Sequence, residues 1–223
     1  MEFAYSGNVF QRYFGALYND AVMAPERTYR IKQYPLETGS LEIEYLEEFF
    51  GEFDRKKKAK EIQDRLKGRE HCILMAISRL PEEPSQMVPV SFKVGHELFA
   101  KESDPKLRDL VERLKGAVDF AGRRILYSWI GGTRSDWRGQ GQFRALTEQQ
   151  EAWALEKDFK EIAVKTKNKF YGMRATLTHL SFDVIKYERN ALENRDSKVY
   201  LSKRIGPEVL QSHQSARTLV QAV

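Results

Sequence analysis

ILYSWIGGTRSDWRGQGQFRAL, residues 125–146, decides how the rest of the chain is read. It opens on an apolar run of strand type, Ile125 to Ile130, and breaks at Gly131-Gly132. A short loop then leads to a second glycine-rich turn, Arg138-Gly139-Gln140-Gly141-Gln142-Phe143, at the start of a helix. The first turn of a helix carries N–H groups with no partner inside the helix. Small residues ahead of it let several of those donors converge on one point, which suits a pyrophosphate. Gly139 and Gly141 lack the Cβ that would keep such a group at a distance.

Working outward, the chain divides into short periodic segments. Thr28–Tyr34 reads as a strand, 41–53 and 55–67 as helices, and His71–Leu80 and Met87–Leu98 as two strands joined by a proline turn. Leu107, Leu110, Val111 and Leu114 predict a helix over 105–115, in an insert running from Phe99 to Gly122. After the glycine turn, Phe143, Leu146, Gln150, Trp153 and Ala154 form a helical stripe. A strand at 161–165, a helix opened by Asn168 and two strands at 182–188 and 198–203, plausible as a hairpin, complete a mixed α/β sheet. Apolar residues at helical spacing mark 1–24 as an N-terminal helical extension, with 25–205 as one domain and 206–223 as a polar tail.

Composition bounds the function classes. No apolar run approaches the roughly 20 residues that span a bilayer, so no membrane partner is expected. The N-terminus lacks the pattern of a secretory signal. The single cysteine, Cys72, excludes an intrachain disulfide and fits a reducing, cytoplasmic setting. One cysteine and four scattered histidines offer no metal-ligand spacing, so no metal is expected. A net charge of +5 with interleaved signs gives weak grounds for nucleic-acid binding and could help recruit a polyanionic cofactor.

The glycine turn has three phosphate-binding forms to be tested against. A Walker loop needs a Lys-Ser or Lys-Thr after the glycines, which is absent. A dinucleotide fingerprint needs a third glycine where Arg144 stands. The Arg/Gln-x-x-Gly-x-Gly/Ala form is matched through its first four positions, with Phe143 in place of the last small residue. On this loop, on Val164-Lys165-Thr166-Lys167-Asn168 and on Leu180-Ser181-Phe182, which looks like a Leu-Gly-Phe strand start, the chain resembles the GCN5-related N-acetyltransferase (GNAT) family over about 27–205. The resemblance implies a mixed, mostly antiparallel, twisted sheet of six or seven strands flanked by helices and splayed between the fourth and fifth strands. It implies acetyl-CoA as cosubstrate, transfer to an amine by direct attack in a ternary complex, and a small-molecule or protein amine as partner, with a homodimer as an option. Gln140 to Phe143, with Arg138, would cradle the pyrophosphate. Gly131 and Gly132 would break the strand with a bulge, the backbone of Ile130–Thr133 would bond the pantetheine arm, and Asn168 would hold the far side of the cofactor.

The proton-transfer groups are less legible. The family often places a tyrosine acid where Leu177 stands here, so Tyr171, earlier on the same helix, is the substitute. His96 and Glu97, at the end of the third long strand, are the candidate bases. Tyr127 and Trp129 share one face of their strand and could line the acceptor pocket or the core. Glu44, Glu47 and Glu48 could attract a cationic amine. The missing tyrosine motivates an alternative, a non-catalytic CoA-binding sensor of the same fold. The basic runs 56–60 and 157–174 motivate a third, a nucleic-acid binder.

Overall fold

The computed structural model describes residues 4–5, 28–36, 46–47, 57–79, 85–209 and 211. Its core is a mixed sheet in the order β1-β2-β3-β4-β5-β6-β8-β7. The strands are β1 (Ala4–Tyr5), β2 (Tyr29–Tyr34), β3 (His71–Arg79), β4 (Met87–Leu98), β5 (Ile125–Thr133), β6 (Glu161–Lys167), β7 (Asp183–Glu188) and β8 (Lys198–Arg204). All neighbours are antiparallel except β5 and β6. The expected helical extension and the helix over 41–53 lie mostly outside the described residues. Ala4–Tyr5 is a short strand on β2 rather than helix, and Leu46 and Glu47 are helical.

Among the described residues, helices α1 (Ala59–Leu66), α2 (Pro105–Leu114), α3 (Gln142–Glu156) and α4 (Tyr171–His179) sandwich the sheet. On one face, Ile62 and Leu66 of α1 bury against Ile73, Met75, Phe92 and Val94, and the apolar stripe of α2 against Ile125, Tyr127 and Tyr200. On the other, Leu146 of α3 meets Leu74, Ala76 and Val90, while Trp153 and Leu177 close over Leu126, Val164 and Leu201. β3 is buried on both faces, so it reads as a continuous apolar run.

Local chemistry sets the ends of these helices. Asp104 accepts from Lys106 N at 2.7 Å and Leu107 N at 3.2 Å, with Pro105 at the first helical position of α2. α1 has no cap of its own; the Glu47 carboxylate, twelve residues upstream, accepts from Ala59 N at 2.8 Å. Glu47 therefore caps a helix. Ser181 adopts φ +63°, the left-handed region that favours glycine, in the Leu-Ser-Phe turn between α4 and β7.

Candidate functional site

The sheet opens where its parallel pair separates. β5 and β6 are in register only from Ile125–Glu161 to Ser128–Val164. Beyond that point β5 stays with β4 as far as Thr133, and β6 stays with β8 as far as Lys167. The two inner edges diverge, leaving Trp129 to Thr133 without a β6 partner. Leaving out the two-residue β1, these are the fourth and fifth strands, as expected.

Two details of this region correct the sequence reading. The strand does not break at its glycines: Gly131 pairs with Lys93 and Gly132 with Phe92, inside the β4 ladder. The bulge falls earlier, at Trp129, since Val94 faces Ile130 while Gly95 faces Ser128. Gly131 makes a close approach to β4, because a Cβ there would stand 3.0 Å from the Phe92 carbonyl oxygen and press on it. Arg134 N donates to Val90 O at 3.0 Å. Antiparallel alternation then points the backbone groups of Ile130 and Gly132 at β4, and those of Gly131 and Thr133 into the opening. Arg138 Nε donates to Thr133 O at 3.2 Å, tying the loop back to the strand.

The opening leads to the start of α3. Gly139 and Gly141 have φ of +79° and +81° and open space where a Cβ would sit. Gly141 is the N-cap residue, and no side chain caps the helix. Gln142 is buried, and its Nε2 has no hydrogen-bond partner among the described residues. Left-handed glycines, uncapped N–H groups and an orphaned amide make a donor set that fits a pyrophosphate. The backbone of Gly131 and the N–H of Thr133 fit the amides of a pantetheine arm. Phe143 does not fill the loop; its ring turns inward, packs beside the α3–α4 core and lies under Lys93 Nζ at 4.3 Å from the ring centre.

Among the proposed proton carriers, His96 is placed best. It lies opposite Tyr127 and packs edge-on against Tyr127 and Trp129, at 5.6 Å between ring centres in each case. Nδ1 is 2.7 Å from the Glu97 carbonyl oxygen, which can only accept, so Nδ1 carries the proton and Nε2 the lone pair. That Nε2 is buried and has no hydrogen-bond partner among the described residues. Burial, with Arg69 and Arg65 nearby, pulls the His96 pKa down to about 4. Tyr127 is pushed up to about 12 by burial and stays protonated.

Glu97 is placed elsewhere. It faces Leu126 near the start of β5, and Arg124 grips its carboxylate at 3.0 and 2.9 Å, so it does not reach the opening. Tyr171 heads α4 at 59% exposure, with Arg174 over its ring at 5.9 Å. Leu177, at the family's tyrosine position, is fully buried core. Asn168 lies three residues before α4 and is turned inward: its Nδ2 donates to Asn194 O at 3.2 Å, its N to Ser197 O at 2.8 Å, and its Oδ1 accepts from Arg174. It fastens the β6–α4 loop to the loop before β8, so its side chain is engaged within the protein. On the α1 side, Arg65 stacks over Trp129 at 5.0 Å and pairs with Asp104 at 2.9 Å. The basic run 157–174 is largely ion-paired, with Lys160 on Asp158 and Lys167 and Lys169 on Asp196.

A scan against protein-family models finds no match for this chain, and neither does a search of curated protein sequences. Solved structures do match its fold. Arabidopsis thaliana NAA60 in complex with a bisubstrate analogue superposes with a TM-score of 0.59 at 14% identity, covering 79% of this chain and 99% of that one. The NatC complex bound to Gag peptide and CoA gives 0.55 at 12% identity, covering 79% and 98%. The ribosomal-protein-S18-alanine N-acetyltransferase from Escherichia coli gives 0.51 at 13%, covering 79% and 94%. The mixed sheet, its single parallel pair and the divergence of that pair give this chain the fold of the GCN5-related N-acetyltransferases.

Proposed function

We propose that this protein is an acetyl-CoA-dependent N-acetyltransferase whose acceptor is the α-amine of a peptide or protein. One observation carries the reading. The β5–β6 opening, with free backbone donors along β5, runs directly onto two left-handed glycines and an uncapped helix. The chain thereby offers a continuous track for a long ligand with a diphosphate at one end.

The cosubstrate supplies an activated acetyl thioester. The N–H groups from Gln140 to Phe143, with Arg138 beside them, receive the diphosphate. Gly131 and the N–H of Thr133 meet the amides of the arm, and Trp129, the extra residue of the bulge, is the candidate backbone donor to the carbonyl oxygen as it gains charge. His96 takes the proton of the attacking amine at Nε2, directly or through one water. Tyr171 is the candidate donor to the departing thiolate.

The basicity of His96 supports the acceptor class. A base with a pKa near 4 is too weak to deprotonate an ammonium of high pKa. It can accept the proton that an already neutral amine releases during attack. An α-amine, with an ordinary pKa of ~8, is neutral far more often than a lysine at ~10.4. Among the structurally similar proteins, one is bound to a peptide and another is named as an alanine N-acetyltransferase of a ribosomal protein, which agrees with this choice.

The test is incubation with acetyl-CoA and paired peptides, one set with a free N-terminus and one blocked there but carrying lysine. Thiol release and the added acetyl mass are followed together. Transfer to the free α-amine is expected. Absence of transfer to any amine, together with absence of CoA binding, overturns the reading.

A further inference from the structure

The centre of the molecule holds a charge that this mechanism does not use. Lys93 sits in the middle of β4, between Leu74 of β3 and Gly131 of β5. It points to the α3 face and is only 2% exposed. Among the described residues its ammonium makes no hydrogen bond and no ion pair; it rests on the ring of Phe143, the second residue of α3. The titratable groups facing it are Cys72 of β3 and Glu151 of α3. Burial pushes the Cys72 thiol up to about 11, so it is neutral. Glu151 is fully buried and already bonded to Lys203 of β8 at 2.8 Å. Two buried lysines therefore share one buried carboxylate, and a positive charge is left over.

That charge rests on the ring of a first-turn residue of α3, the end of the helix at which the macrodipole is positive and a cation is disfavoured. A buried charge without a partner costs stability. Without a ligand, the carboxylate that offsets this charge among the described residues is Glu151, which is bonded to Lys203. Burial accordingly pulls the Lys93 pKa down to about 8. An anion at the start of α3 reverses the sign of both interactions. The unpartnered Gln142 Nε2, on the same turn, is a second sign that this end of the helix is built for a ligand.

We infer that Lys93 is the buried counter-charge of the pyrophosphate site, strengthening diphosphate binding across the Phe143 ring without touching the ligand. It is a positioning residue, and this role rests on the reading of the α3 start as the diphosphate site. Phe143, where the loop pattern has a small residue, shields the ammonium from water and keeps the intervening dielectric low.

The experiment is calorimetric titration of the full chain with CoA, for wild type, Lys93→Met and Lys93→Arg, beside apo melting curves. Lys93→Met is expected to weaken CoA about tenfold, the effect of one charge at ~10 Å with an effective dielectric of ~20. Its apo melting temperature should be unchanged or higher, because an unpaired buried charge has gone. Lys93→Arg should keep most of the affinity. Wild type titrated at pH 8 in two buffers of different ionisation enthalpy should take up part of a proton as the anion raises the Lys93 pKa, a readout that needs no variant. CoA affinity of Lys93→Met within twofold of wild type, an affinity loss matched by a fall in apo stability, or no proton uptake would each overturn the inference. Failure of wild type to bind CoA would instead overturn the cosubstrate reading.

Discussion

His96 and Ser181 show how single residues carry this account. The ordinary histidine pKa is 6.5, and in the fold it falls to about 4 because the charged ring would be buried. The unfolded chain thus binds more protons between those values, and stability is lost as pH falls through that window. The contribution is about 3 kcal/mol at full extent. His96→Gln should flatten the stability–pH curve between about 6.5 and 4 relative to wild type, in urea unfolding across pH. In turnover assays it should lower kcat about 100-fold and leave CoA affinity alone. Equal loss of both would assign His96 to packing. Ser181, at φ +63°, is in a conformation that costs an ordinary residue about 1 kcal/mol. Ser181→Gly should therefore raise stability by up to that amount. In the family resemblance Ser181 stands where the Leu-Gly-Phe strand entry has glycine, and its backbone is in the region that glycine favours.

β5 and α3 show what periodicity reveals and what it hides. Most strands and helices of the described region follow apolar spacing closely, because they bury one face, or both, against a neighbour; β7, with Val184 and Tyr187 exposed, is held by its pairing with β8. Two glycines in a row suggested a strand break, yet the β4 ladder carries Gly131 and Gly132 and the bulge sits at Trp129. Which strand stops pairing, and where, is set by partners remote in sequence, so the opening was legible only through the family resemblance. Glu47 as the cap of α1 and Asn168 as a loop fastener were missed for the same reason. On α3 the stripe through Leu146, Gln150 and Trp153 was read correctly, while buried Gln142 and Glu151 gave no periodic signal. Another such hidden contact joins the α1–β3 turn to the β4–α2 loop: Glu102, nearly buried, receives both Arg69 nitrogens, at 2.7 and 2.6 Å, and Phe99 N at 2.9 Å. Glu102→Ala should cost about 3 kcal/mol in chemical denaturation, since the Arg69 guanidinium loses its carboxylate and keeps only the Glu97 carbonyl, at 3.2 Å, as a hydrogen-bond acceptor among the described residues.

Across the whole molecule, two helix layers hold a sheet that is closed at one end of its parallel pair and open at the other. The layer of α1 and α2 brings His96, Tyr127 and Trp129 together on one face. The layer of α3 and α4 brings the glycine loop and Lys93 to the other. A ligand entering the opening from the α3 side would present its reactive end to the histidine side, so donor and acceptor reach the bulge from opposite faces. This division rests on a cosubstrate seated along β5 and the loop. The most direct test is CoA titration of wild type and Gly141→Val, with apo melting curves of both. The left-handed φ at Gly141, with open space around it, should cost the apo protein only about 1–2 kcal/mol. CoA affinity should fall at least about tenfold as the new side chain enters the cradle. Saturable binding by wild type with that selective loss supports the account. No binding by wild type, or unchanged affinity in the variant, would contradict it.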